Sequence, residues 1–190
     1  GDFPAFTFDT GIIASFWEFP AFVMLGILSG VLAIVFMRSI GFANRVARTI
    51  PIPRWSHPAL GGLILGGIAL QFPEVLGVGY AAMESTLLLE FTLWVLIGIC
   101  AAKVAATAIC VGFGFGGGVF SPALVIGAML GASYGVVATG AFPDYASSIS
   151  VYSIVGMGAV AASVLGAPIS TTLIIFEMTS NYALTLAVMV

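Results

Sequence analysis

Two stretches of this chain carry no charged side chain at all: Val104 to Pro143, and Tyr145 to Phe176. Each is long enough to cross the hydrocarbon core of a bilayer, which takes about 20 apolar residues as a helix. Soluble domains are about a quarter charged, whereas this 190-residue chain is 7% charged and 61% hydrophobic. A transmembrane β-barrel would alternate within segments of about 10 residues, and these runs do not alternate. The expected class is an all-α, polytopic membrane protein built of spanning and of broken or partial helices.

The few charges are informative by position. Arg38, Arg45, Arg48 and Arg54, with His57, form the one basic cluster, and the positive-inside rule places the Arg38–His57 loop in the cytoplasm. The chain is expected as a multi-pass integral protein of the cell membrane. His57, beside Trp55 and Pro58, reads as a surface residue. Cys100 and Cys110 lie in apolar helical sequence and read as small packing residues, with no metal-ligand spacing around them. No His/Cys/Asp/Glu cluster and no nucleophile–base spacing is present, so neither an enzyme nor a cofactor is expected. The chain starts without Met and stops at Val190 inside an apolar run, and it reads as a partial domain, truncated at both ends.

Along the chain, Gly1–Trp17 reads as an interfacial loop. A long helix is expected from about Phe19 to Arg48, with Gly26 and Gly30 at close-packing spacing. "TIPIPRWSHP" is a Pro-rich connector. A shorter segment, Pro58–Phe72, carries Gly62 and Gly66 on one packing face. Gly77–Leu89 is short and broken, and Phe91–Val111 is a span with Lys103 near its middle. Pro122–Ala141 is a span with a packing stripe of Gly127, Gly131 and Gly135, and "FPDYASS" turns the chain. Val151–Leu165 and Pro168–Thr179 are split at "LGAP"; Asn181 ends the latter, and Tyr182–Val190 begins another segment. Broken helices survive in a bilayer only where protein or a water-filled cavity satisfies their backbone, and transporters place ion sites at such breaks.

The most conspicuous break is glycine-rich: five of the seven residues from Gly112 to Gly118 are glycine. Ser121-Pro122 then reads as a helix start, with a hydroxyl at the N-cap and Pro at the first helical position. Gly116, Gly117 and Gly118 lack side chains that would block an ion and permit positive φ. The amides of Gly116 to Phe120 can therefore face the space ahead of the helix, whose macrodipole adds roughly half a positive charge. Such a site holds an anion without a fixed cation, and conduction requires binding weak enough to release. On the residues alone, the alternative is that these glycines only let helices pack closely.

"GGGVFSPALVIGAMLGASYG" resembles the Gly-x-Phe-x-Pro signature of the CLC family of chloride channels and chloride/proton antiporters. "YSIVGMGAVAASVLGAPISTTLIIFEMTSNY" is similar to the segment that follows it in that family. The resemblance is specific over Gly116–Tyr182 and rests mainly on hydrophobic layout over the first hundred residues. It implies that residues 1–190 form part of a CLC-type membrane domain, its C-terminal, inverted-topology half. It implies chloride as the transported ligand, coordination by the amides of Val119 and Phe120, and Phe120 lining the pathway. It further implies a homodimer in which the Val151–Val190 region forms part of the subunit contact, and a need for a first half of the domain. The family's Gly-Ser-Gly-Ile-Pro and gating-glutamate stretches are not found here, and Gly116 stands where many members carry Pro.

Two ionisable residues complete the expectations. Lys103 at the bilayer centre costs at least ~2.5 kcal/mol unless compensated; it is expected to pair with Glu84 or Glu90, to snorkel, or to lend positive potential to the anion path. Glu177 lies at a helix C-terminus, where the dipole disfavours a carboxylate, so it must find a donor among Thr179, Ser180 and Asn181 or face water. Glu18, Glu74, Glu84 and Glu90 read as interfacial. Two other functions fit the same features: a secondary transporter of an organic anion using the broken-helix site, and a structural membrane subunit.

Overall fold

The computed structural model describes residues 19–77, 79, 86, 92–143, 147–179 and 182–189. The readings of Gly1–Trp17, Glu18, Glu84, Glu90, Ser180, Asn181 and most of Gly77–Leu89 lie outside the described residues. Among the described residues seven α-helices are delimited: α1 Phe19–Thr49, α2 His57–Gln71, α3 Leu93–Gly112, α4 Phe120–Ala141, α5 Ile149–Leu165, α6 Pro168–Thr179 and α7 Tyr182–Met189. There is no strand among the described residues. Helices α1, α3 and α4 are long and apolar enough to cross a membrane. The protein is an integral, multi-pass membrane protein.

Helix α1 has 31 residues, about 46 Å at 1.5 Å per residue, against a hydrocarbon core of about 30 Å. Its last third, with Arg45 and Arg48, therefore extends past the apolar layer, and Arg38 stands at the edge. The outward side of α1 is apolar and exposed at Met24, Ile27, Val31 and Ile34, as a lipid-facing surface requires.

Helix α4 sits at the centre. It packs most extensively on α5, and α3 and α1 also lie against it. Seven consecutive residues, Ala123 to Met129, are buried, so no side of its first turns faces lipid. Small residues bring it close to α5. A methyl group at Gly131 would collide with the Tyr152 carbonyl oxygen, one at Gly127 with the Gly156 carbonyl oxygen, and one at Gly135 would stand 3.1 Å from Ile149 Cα. Ser153 adds a buried bond across the same contact, its Oγ donating to Ala128 O at 2.9 Å. The stripe expected from the sequence is thus a helix-packing face. Tyr152 is fully buried beneath it, its ring 5.5 Å from Phe22 and 5.6 Å from Tyr134.

Two other expected packing faces are corrected. Open space surrounds Gly26, Gly30 and Gly66 among the described residues, and the close approach on α2 falls at Gly61 instead. Spacing marks which residues share a helix face, but only the neighbours decide whether that face is used.

Lys103 is 3% exposed, which overturns snorkelling. Its ammonium donates to Val75 O at 2.8 Å and to Gly77 O at 3.0 Å. These carbonyls belong to the end of a 3₁₀ turn, Pro73–Val75, that follows α2. Charge-assisted bonds of this kind contribute about 1.5–3 kcal/mol each, enough together to offset the insertion cost of the charge. Beyond this turn the chain comes close to α4, where a side chain at Gly79 would meet Val125 at 2.8 Å. Lys103 thus clasps the α2–α3 connection to the bundle.

Two outcomes follow from these contacts. Gly131→Val should lower the thermal midpoint of the detergent-solubilised protein sharply, because the clash is with backbone; overpacking costs about 1–3 kcal/mol. Gly140→Val, placed in open space, should change it little. Lys103→Met should also lower the midpoint, since each orphaned carbonyl costs about 1–3 kcal/mol, and an unchanged midpoint would show that the clasp contributes nothing.

Candidate functional site

The glycine-rich stretch is three structures in seven residues. Gly112 ends α3 where it touches α1: an added Cβ would lie 2.8 Å from the backbone of both Ala43 and Asn44. Gly114, with φ +90°, stops the helix. Its N–H donates to Val111 O at 3.2 Å, and the next N–H, of Phe115, reaches back to Cys110 O at 2.9 Å. That pair of bonds closes the last carbonyls of α3 and requires a left-handed residue at Gly114. Gly116, Gly117 and Gly118 do neither. They are exposed, meet open space, and have no positive φ.

The positive φ expected at Gly116–Gly118 is therefore corrected to Gly114. The role of the three later glycines that the geometry leaves open is the absence of side chains. The packing alternative finds no contact for them among the described residues.

The start of α4 also differs from expectation. Phe120 opens the helix and Val119 is its N-cap (φ −95°, ψ −7°), with no side-chain capping bond. Ser121 and Pro122 lie inside the first turn. Proline is tolerated there because the first N–H groups of a helix have no intrahelical acceptor. The first turn-closing bond runs from Ala123 N to Val119 O at 3.1 Å. An apolar cap leaves the leading amides without the hydroxyl or carboxylate acceptor that usually satisfies one of them. None of the Gly116–Phe120 amides donates to a backbone carbonyl among the described residues. Val119, Phe120, Ser121 and Pro122 are half-buried, so the amides lie at the edge of the packed core, next to the open glycines.

The preceding turn is anchored by two aromatic rings. A Cβ at Gly61 of α2 would stand 2.8 Å from Phe113 Cβ and 3.3 Å from the Phe115 ring, and one at Gly62 would stand 3.6 Å from that ring. Sequence reading overlooked this contact. The phenylalanines alternating with glycine in "GFGFG" were the available signal, since two large rings beside a helix stop need small residues opposite.

The remaining candidates lie elsewhere. Lys103 bonds the 3₁₀ turn rather than any amide or side chain of Gly116–Phe120 among the described residues. Glu177 is exposed on α6, and Thr179 Oγ1 donates to Ile175 O at 2.8 Å rather than to it. Cys100 is half-buried between helices, its Sγ 3.8 Å from Ile126 O. His57 is not simply a surface residue: Nε2 lies 2.7 Å from Ala47 O and Nδ1 3.2 Å from Pro53 O, so the ring ties the start of α2 to the end of α1.

Comparison with known proteins places the chain in a family. The chain is 34% identical over 200 residues to chloride channel protein CLC-f of Arabidopsis thaliana, covering 97% of this chain and 26% of that protein. It is 31% identical over 173 residues to the H(+)/Cl(-) exchange transporter ClcA of Yersinia pestis, covering 89% of this chain and 36% of that protein. The fold matches the crystal structure of a slow cyanobacterial Cl-/H+ antiporter with a TM-score of 0.74 and 28% identity, over 92% of this chain and 41% of that one. The chain thus spans about a third of the length of the curated relatives it matches. The pattern that defines the voltage gated chloride channel family matches residues 1–190, the all-helical fold agrees with it, and the chain belongs to that family.

Proposed function

We propose that this chain supplies one half of the pathway of a chloride transporter, with the amides of Gly116–Phe120 as its anion site. The observation that carries this reading is the start of α4. A helix held at the centre of the bundle presents its positive end and an apolar N-cap to a space kept clear by three glycines. Two of the nearby acceptors are taken up, because Gly114 and Phe115 return Val111 O and Cys110 O to backbone bonds. The local excess of donors favours a small anion. Val119 and Phe120 are the direct donors, Gly116, Gly117 and Gly118 give access, and Ser121 and Pro122 shape the first turn.

In the whole protein this chain forms part of a CLC-type membrane domain that is completed by a first half and pairs into a homodimer. The transported ligand is chloride or a similar halide, no cofactor takes part, and the protein is a transporter rather than an enzyme. Lys103 biases the pathway only through its long-range potential, its hydrogen bonds being committed to the clasp.

Binding of chloride and bromide to the complete protein, followed by isothermal titration, tests the site. Gly118→Val fills the space before the helix without backbone strain and should weaken binding by about tenfold or more, the equivalent of one charge-assisted bond. Phe120→Ala should do less, and Ser121→Ala least, because Ser121 does not cap the helix. A correctly folded Gly118→Val protein with unaltered halide affinity would remove the site from this loop. Efflux measured with chloride against small carboxylates separates the organic-anion alternative.

A further inference from the structure

We infer that α2 is the platform that fixes the course of the glycine loop, with Gly61 and Phe115 as its positioning residues. The inference rests, for its consequence on anions, on the reading of Gly116–Phe120 as the anion site.

Three observations converge on α2. Gly61 is buried and leaves no room for a methyl group: Phe113 Cβ and the Phe115 ring stand 2.8 and 3.3 Å from where that methyl would be. Phe113 is 5% exposed, locked between α2 and the end of α3. Phe115 is the residue whose amide closes the helix stop on Cys110 O, and Gly116 follows it directly. The ring therefore sets the direction in which the three open glycines leave α3.

The platform is itself tied down. His57 in its first turn reaches Ala47 O of α1 at 2.7 Å. At its other end, Phe72 packs its ring 3.3 Å from the Cβ position of Gly98 on α3. The far end of the loop is fixed independently, because α4 is wedged between α5, α3 and α1. A Cβ on any of residues 116–118 would meet no atom within 4 Å among the described residues, so no side-chain packing holds them and the two anchors set their path. Neither Gly61 nor Phe115 touches the anion position; both act through the loop.

The test uses the complete protein and two readouts: amide hydrogen exchange at Gly114 and Phe115, the loop amides bonded to Val111 O and Cys110 O, and chloride and bromide affinity by titration. In Gly61→Ala the added methyl must push Phe113 or Phe115 off its seat. Overpacking strain of the usual size corresponds to about a tenfold change, so loop exchange should speed by about that factor. Chloride affinity should fall several-fold and the chloride-to-bromide ratio should shift, which a purely structural loss of folded protein would not cause. Gly66→Ala, one turn further along in open space, should leave both readouts unchanged. Phe115→Ala empties the seat without overfilling it and should reproduce the faster exchange, which keeps the test decisive if Gly61→Ala does not fold. Unaltered loop exchange in folded Gly61→Ala and Phe115→Ala would overturn the inference. Faster exchange with unchanged halide affinity would uphold the platform and instead remove the loop from the anion pathway.

Discussion

Inside a bilayer, every backbone N–H and C=O must find a partner within the protein, and the architecture of this chain follows from where its helices break. Each break exposes carbonyls at one helix end and amides at the next helix start. Some of the carbonyls at these ends have identifiable partners. Gly114 and Phe115 return the end of α3 to Val111 and Cys110, and Gly166, at φ +64°, returns the end of α5 to Ala162. After α2 the closure is made by a side chain, the ammonium of Lys103, on Val75 and Gly77. At the glycine loop the amides of the following helix are not matched in the same way. The start of α4, with an apolar N-cap, carries the positive end of a helix dipole without a charged side chain.

Why the field falls where it does is a matter of packing. Helix α4 lies closest to α5, through glycines that let two backbones touch, and the cluster around Phe22, Leu25, Ile126, Tyr152 and Met157 fills the space between these helices and α1. A second cluster, Leu96, Ile99, Val125 and Met129, fastens α4 to α3. A helix held on several sides keeps its dipole and leading amides fixed. Under the anion-site reading proposed above, donors already oriented would need no reorganisation when an ion arrives.

Much of this was legible in the residues. The lengths of the uncharged runs gave the class, and the positions of Gly, Pro and Ser gave most helix limits to within two residues. The start of α4 was misplaced because Ser-Pro is equally compatible with the cap and with the first turn, and nothing local distinguishes the two. The five glycines of Gly112–Gly118 look alike as letters, yet one permits a helix contact, one a left-handed stop, and three an open approach. The first role is set by a neighbour nearly seventy residues away, at Ala43, and the second by bonds to Val111 and Cys110, which no run of glycines announces. Lys103 was expected to pair with Glu84 or Glu90, to snorkel, or to lend potential to the anion path; Glu84 and Glu90 lie outside the described residues, and main-chain acceptors were not among the expected partners. Its partners are main-chain carbonyls, which every residue possesses and no letter marks.

The buried clasp also bears on how such a chain enters its membrane. A helix with an ammonium near its middle is a poor candidate for insertion by itself, at a cost of at least ~2.5 kcal/mol. The carbonyls of Val75 and Gly77 precede Lys103 in the chain, so they leave the ribosome first. An insertion pathway that held α2 and its 3₁₀ turn beside the incoming helix would present Lys103 with its acceptors before lipid does. The order of residues along the polypeptide then doubles as an order of assembly, with α3 recruited into the bilayer by a turn that is already waiting for it.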